Sequence, residues 1–269
     1  MWGKIMVKVC HMSDVHSTLD TRIFYKECSS IAEAGYDTYL VAQGETQIKN
    51  GVQIIGISKI NGSRVKRILL GGWKVYRQAI KIDADIYHFH DPELLPYGLL
   101  LKLKKKRVVF DSHEDTAAQI YEKQWIPKCL RKIIGIFYNK FQSFVCRKLD
   151  AVIVVSNSIQ ESFTSNGFNT VMVTNYPILQ KYMDSNNIDK RKLICFAGGI
   201  TPNYQHEKII KVLEDFHELE YVLCGKIDNA YLKFLEGLRG WEKVSYLGII
   251  PHTEVHNLLS KSMFGIVIH

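Results

Sequence analysis

The chain has 269 residues, 46% apolar and 23% charged, without low-complexity segments, which excludes disorder and leaves room for one large or two medium domains. Its net charge of +8 sits in one half: residues 1–150 hold 24 Lys and Arg against 15 Asp and Glu, whereas residues 151–269 hold 11 against 12. A basic half attracts nucleic acid, an anionic membrane face or phosphorylated substrates, although a run such as 102–107 also reads as a solvated lysine face. The cysteines at 10, 28, 129, 146, 195 and 224 fall singly in apolar segments, with no C-x-x-C and no zinc spacing, and read as buried thiols of a reducing compartment. Lys4 and Lys8 interrupt the N-terminal apolar stretch, so no secretory signal is read. The best candidate span, 133–146, is broken by Lys140 and falls short of the ~20 apolar residues a crossing needs.

In chain order, Val- and Ile-rich runs near 6–11, 37–42, 52–57, 85–89, 107–111, 151–155 and 170–174 alternate with helical patterns. That rhythm predicts an α/β fold with a doubly wound parallel sheet. In the first helix Asp20 is placed to cap the start, Ile23, Phe24, Cys28, Ile31 and Ala32 form the inward stripe, and Gly35 supplies the left-handed stop. A helix is expected from about Glu93 to Lys104, where Leu94, Leu95, Leu99 and Leu103 recur at helical spacing. The polar stretch 176–191 reads as a linker between an N-terminal domain, 1–175, and a second domain, 192–269. The second domain resumes the alternation near 193–197, 221–224, 244–247 and 265–268. The chain then stops on the strand GIVIH with no covering helix, so the second domain is expected to be incomplete.

Two segments concentrate chemistry. In YHFHDPELLPYG, residues 87–98, strand alternation puts His88 and His90 on one face, followed at the strand's carboxyl end by Asp91. In DSHED, residues 111–115, His113, Glu114 and Asp115 follow the next strand at the same edge, where open α/β sheets bind ligands. Two acid–histidine clusters invite a metal reading, yet neither H-x-H-x-D-H nor H-E-x-x-H is present. Asp14, His16, Asp20 and Arg22 follow the first strand, where Arg22 can fork onto a phosphate or carboxylate. In AGGITPN, residues 197–203, Gly198 and Gly199 would let the backbone approach a pyrophosphate. The stretch 125–148 interleaves Lys128, Arg131, Lys132, Lys140, Arg147 and Lys148 with large apolar residues, as a membrane-surface helix or a sheet-packing helix would.

HMSDVHSTLDTRIFYKECSSIAEAGYD (11–37), DIYHFHDPELLPYG with VVFDSHED, DAVIVVSNS (150–158), and FAGGITPN followed by YVLCGK and VSYLGIIPHTEV run in one order over nearly the whole chain. Together they resemble the retaining glycosyltransferases of family 4, which have two Rossmann-like domains (GT-B). The resemblance implies an N-terminal acceptor domain and a C-terminal nucleotide-sugar donor domain. It also implies a metal-independent site without a cofactor, in which His90 lies beside the reacting carbon of the donor sugar and His88 is structural. Asp14, His16, Asp20, Arg22, Asp91, His113 and Glu114 fall on the acceptor side; Gly198, Gly199, His206, Lys208, Gly225, Lys226 and Ile250 fall on the donor side. The family's usual arginine clamp on the diphosphate is missing, and its donor-binding glutamate pair would lie beyond His269.

The expected function is therefore transfer of a sugar from a nucleotide-diphosphate-sugar to a saccharide or lipid-linked saccharide, in surface polysaccharide or glycoconjugate synthesis. Nucleic acid is not an expected partner. The expected place is the cytoplasm, including the inner face of an anionic membrane. As a truncated chain it is expected to lack transferase activity. Two rivals remain: a nucleotide-sugar 2-epimerase of the same architecture, and a non-catalytic binding fragment.

Overall fold

A computed structural model describes residues 6–59, 64–113, 120, 127–165, 167–176 and 192–268. The chain divides into two compact units, Met1–Ile178 and Leu179–His269. In the first, strands β1 (Lys8–Ser17), β2 (Asp37–Gln43), β3 (Gln47–Lys49), β4 (Val52–Ile57), β5 (Ile86–Phe89), β6 (Arg107–Ser112), β7 (Ala151–Val154) and β8 (Thr170–Met172) form one sheet in the order β3-β4-β2-β1-β5-β6-β7-β8. All of its pairings are parallel except that of β3 with β4. The strand order reverses direction between β1 and β5, which makes the crevice at their carboxyl ends the place for a ligand.

Alternation along the strands decides what each face carries. Cys10 and Met12 of β1, Tyr87 and Phe89 of β5, and Val108 and Phe110 of β6 all enter one apolar cluster. Their odd-and-even neighbours His11, His88 and Asp111 must then turn to the opposite face. On that second face Leu40, Ala42, Val52 and Ile54 pack against Ile23, Phe24 and Cys28 of the first helix, α1. The polar residues of three strands are thus gathered beneath one helix.

Helix α1 is wound unusually. It runs as a wide π-type turn over Thr21–Cys28 and continues as a regular helix over Ser29–Glu33. Asp20 caps it, accepting the N–H groups of Arg22 at 2.8 Å and Ile23 at 2.9 Å, and Gly35 ends it with φ +89°. The Tyr25 N–H reaches back five residues to the Asp20 carbonyl at 3.2 Å. At about 100° per residue an ordinary helix would splay residues five apart to different faces. The i→i+5 winding instead aligns Arg22 with Glu27.

Among the described residues, the other helices of this unit are α2 (Arg64–Ile82), α3 (Leu95–Leu103), α4 (Lys128–Cys146) and α5 (Asn157–Thr164). A single tight turn over Pro92–Leu94 precedes α3, so the expected helix from residue 93 begins slightly later. Strand β1 runs six residues past its expected end, because after an irregular register Ser17 still pairs with Gln43. The short antiparallel strand β3 was not anticipated from three residues of weak pattern.

The second unit holds β9 (Leu193–Ala197), β10 (Glu220–Cys224), β11 (Val244–Tyr246) and β12 (Phe264–Gly265), parallel in the order β11-β10-β9-β12. Helices α6 (His206–Val212) and α7 (Asn229–Glu236) contribute Ile209, Ile210 and Leu235 to a core with Ile194, Phe196, Tyr221 and Leu223. Helix α8 (His252–Lys261) covers the other face, where Leu258 meets Leu193, Cys195 and Val222. Strand β12 is shorter than the expected 265–268.

Asp20 carries the geometry of α1, and burial, which raises its pKa, is outweighed by His16 and the two N–H donors, leaving it at about 2. Asp20→Ala is expected to lower unfolding free energy by about 1 kcal/mol, with Asp20→Asn recovering most of it. Thermal denaturation of the three proteins checks this, and an unchanged midpoint in Asp20→Ala would remove the cap from the account.

Candidate functional site

The polar residues at the β1/β5 crevice form two layers. The floor is buried. Arg22 forks onto Asp111, with Nε 2.9 Å from Oδ2 and Nη2 3.0 Å from Oδ1. Asp111 Oδ2 also lies 3.2 Å from His90 Nδ1, and His90 Nε2 lies 3.0 Å from His11 Nδ1. Glu27 completes the floor: its Oε1 is 3.0 Å from Arg22 Nε, and its Oε2 is 3.9 Å from His88 Nδ1, 3.9 Å from His90 Nε2 and 4.0 Å from His11 Nδ1.

The upper layer is partly open to solvent. His16 and His113 meet edge to face with ring centroids 5.4 Å apart. His16 bridges downward, with Nδ1 3.3 Å from Asp20 Oδ2 and Nε2 3.5 Å from Asp91 Oδ1. Asp91 in turn accepts the Asp14 N–H at 2.8 Å, and the side-chain amide of Gln43 donates to the Asp14 carbonyl. Gly71 of α2 leaves room for Asp14: a Cβ there would lie 3.0 Å from its Oδ2.

Burial sets the electrostatics. It is the largest cause holding His11 well below its ordinary pKa and His88 at about 3, with neighbouring imidazoles adding to both. For His90 burial works in the same direction, but the bond to Asp111 and the charges of Glu27 and Asp111 reverse it, and its pKa is raised. Burial pushes Glu27 up to about 7, and burial with the Asp91 charge pushes Asp14 up to about 9. Burial also opposes ionisation of Asp111, yet His90 and Arg22 hold it well below the usual carboxylate range.

The residues singled out from the sequence take definite places in these layers. His90 was expected against the reacting sugar, but its side chain is 0% exposed with both ring nitrogens engaged, so it belongs to the floor. Arg22, expected on an acceptor anion, spends its fork on Asp111, because the wide turn of α1 aims it across the sheet. His88, expected to be structural, is buried in the same floor. Asp14, His16, Asp20, Asp91 and His113 are brought together around it as expected positions of one edge; Glu114 and Asp115 lie outside the described residues. Sequence reasoning missed His11 and Glu27. The β1–β5 register that sets His11 opposite His88 was the signal for the first; nothing local signals the second, since it depends on the π winding.

In the second unit the corresponding sheet edge is built from backbone. Gly225, at φ +139°, lies so close to the first loop that a Cβ would sit 1.7 Å from the Gly198 carbonyl oxygen. Gly198 N–H donates to Cys224 O at 2.9 Å and Gly225 N–H to Gly248 O at 2.7 Å, which stitches together the loops after β9, β10 and β11. Lys208 and Lys226 are exposed and Ile250 is half-buried. His206, expected as a candidate clamp base, instead turns into the core, 2.9 Å from the Tyr221 hydroxyl.

Comparison with known proteins gives a family and a fold. Residues 22–175 match the family model for Glycosyltransferase Family 4. Comparison with curated protein sequences finds no match. Among solved structures, sucrose-phosphate synthase from Thermosynechococcus elongatus is 14% identical with a TM-score of 0.71, covering 97% of this chain and 75% of that one. Anabaena HepE in complex with UDP and glucose is 12% identical with a TM-score of 0.63, covering 96% and 73%. UDP-N-acetylglucosamine 2-epimerase from Rickettsia bellii is 14% identical with a TM-score of 0.58, covering 97% and 72%. At these identities the likeness is one of fold, two Rossmann-like units of the GT-B kind. The family model spans over half the sequence and includes Arg22, Glu27, His88, His90 and Asp111, and the chain belongs to glycosyltransferase family 4.

Proposed function

We propose that the chain is part of a glycosyltransferase that moves a glycosyl group, with retention at the anomeric carbon, from a nucleotide-diphosphate-sugar to a saccharide or lipid-linked saccharide in surface polysaccharide or glycoconjugate assembly. The observation that carries the proposal is the family match over residues 22–175 of the first unit. In this reading residues 1–175 serve the acceptor, 176–191 link, and 192–269 serve the donor. The upper layer, His16, Asp91, His113 and Asp14, offers hydrogen-bonding partners to sugar hydroxyls. On the donor side, the loops at Gly198, Gly199 and Gly225 present backbone without side chains in the way, and Lys208, Lys226 and Ile250 flank them. The structure of HepE holds UDP and glucose, and a donor of that chemistry is the first to test here.

Incubation of the full-length protein with UDP-glucose or UDP-N-acetylglucosamine and a panel of saccharide acceptors is expected to release UDP and add one glycosyl unit to an acceptor. The epimerase fold match gives a second reading its observation. Conversion of UDP-N-acetylglucosamine to its C2 epimer without acceptor would establish that reading in place of transfer, and absence of nucleotide binding would leave a binding protein.

His90 acts in this proposal as a positioning residue, since it holds Asp111 and His11 under the residues that meet the sugar. A displacement of about 1 Å in such a constellation costs on the order of 10²-fold in rate. His90→Ala is therefore expected to lower kcat by about 10²-fold while the donor KM stays within about threefold, as steady-state kinetics would show. A kcat within threefold of wild type would sink the role.

Helix α4 supports a second part of the proposal, attachment to an anionic membrane face. Ile133, Phe137, Phe141 and Phe144 are all exposed on it, Phe137 at 69%, beside Lys128, Lys132 and Lys140. No helix among the described residues is long and apolar enough to cross a membrane, so the helix would lie in the interface, where each lysine near an anionic surface contributes about 1 kcal/mol. Sedimentation with phosphatidylglycerol vesicles is expected to pellet the protein at low salt and release most of it at high salt. Failure to pellet at low salt would return α4 to a solvated role.

A further inference from the structure

We infer that the floor of the first unit is a closed, structural site for a divalent transition-metal ion, with zinc the best fit, held by His11, Glu27, His88 and His90. The inference goes beyond glycosyl transfer and does not depend on it. One donor atom from each of these four side chains lies within 4.8 Å of every other. The atoms that face one another are His11 Nδ1, His88 Nδ1, His90 Nε2 and Glu27 Oε2, at 3.0 Å between the first and third and 3.9 to 4.0 Å from each nitrogen to the carboxylate. A tetrahedral zinc with bonds of ~2.0–2.1 Å keeps its donors roughly 3.3–3.5 Å apart, so small rotations of the side chains complete the shell.

Three further features point to an ion rather than to a hydrogen-bonded knot. Glu27 Oε2 is buried without a hydrogen-bond partner although three imidazoles surround it. The outer nitrogen of His90 already rests on Asp111, which Arg22 fixes from behind, the carboxylate–histidine arrangement that orients a metal ligand. The floor and its margin also gather the carboxyl groups of Glu27, Asp91 and Asp111 around the guanidinium of Arg22 and the imidazole of His90, surroundings rich in oxygen donors to a cation.

Four protein ligands leave no open position for water or substrate, which makes the site structural and not catalytic. It would clamp β1, β5 and α1 together. Neither a linear motif nor the spacing along the chain announces it, because the ligands come from residues 11, 27, 88 and 90 on three elements.

The test uses the full chain, stripped with a soluble chelator, then reloaded with Zn²⁺ or Co²⁺ and freed of excess by dialysis. Elemental mass spectrometry is expected to find about one ion per chain. Co²⁺ should give the visible absorption of a tetrahedral site, and Zn²⁺ should raise the thermal midpoint of the stripped protein. Glu27→Gln and His88→Ala are each expected to weaken binding by at least about tenfold. His16→Ala and His113→Ala, which alter imidazoles outside the four, should bind as the wild type does. Glu27→Gln preserves side-chain shape, and its circular dichroism in the stripped state shows whether the fold is retained. No stoichiometric ion after reloading would overturn the inference, and so would equal metal content in Glu27→Gln and His88→Ala.

Discussion

The carboxylate of Asp111 is the group on which the first unit's polar architecture hangs. It is wholly buried, and burial alone would drive it neutral. The Arg22 fork and the His90 ring keep it ionised instead, and in doing so they join α1, β5 and β6 at one point. Removing one partner of such a buried pair strands the other charge, at a cost on the order of 3–5 kcal/mol. The cluster is therefore a constraint on three elements at once: α1 must be wound and capped so that Arg22 reaches across the sheet, and β5 must keep its register with β6.

Register is what makes the constraint hold. His11 pairs across from His88, and Phe89 across from Phe110. A one-residue slip of β5 would send His88 and His90 into the apolar cluster of Tyr87, Phe89 and Phe110 and expose those aromatic residues to the polar floor. The apolar face, with its buried aromatic rings, thus specifies where the histidines stand. Helix α1 then closes the second face with Ile23, Phe24 and Cys28 while bringing Arg22 and Glu27 over the polar part.

Much of this was legible in the sequence. The alternation of short apolar runs with helical patterns yields the parallel sheets, and H-x-H followed by Asp91 locates the sheet edge. What was not legible depends on geometry that a linear pattern does not encode. Glu27 enters the floor only because eight residues of α1 wind more widely than an α-helix, so that positions five apart align. His11 looks like one more residue of a buried strand until β1 and β5 are paired. His206 follows a glycine loop and reads as a base facing a diphosphate, yet Tyr221 on the neighbouring strand offers its ring a buried partner, and the ring takes it. The same residue type at the two sheet edges has opposite fates, decided by which neighbours the topology supplies.

The two sheet edges are consequently built by different means. At the first edge the partners are side chains with titratable groups, held to their positions by packing beneath them, so a change of a single residue there alters charge, shape and register together. At the second edge the contact surface is main chain. There the tolerance is set residue by residue: a side chain at Gly199 meets open space, whereas one at Gly225 collides with the Gly198 carbonyl and needs a positive φ that side-chain-bearing residues rarely adopt. A glycine-lined main-chain surface lets a ligand approach the backbone closely and depends little on side-chain identity around it. A surface of histidines and carboxylates discriminates among hydroxyl patterns, because each unpaired buried group is penalised. Under the proposed function, differences in selection are to be sought at the histidine-lined edge of the first unit, and the glycine-lined edge of the second would meet what the ligands have in common.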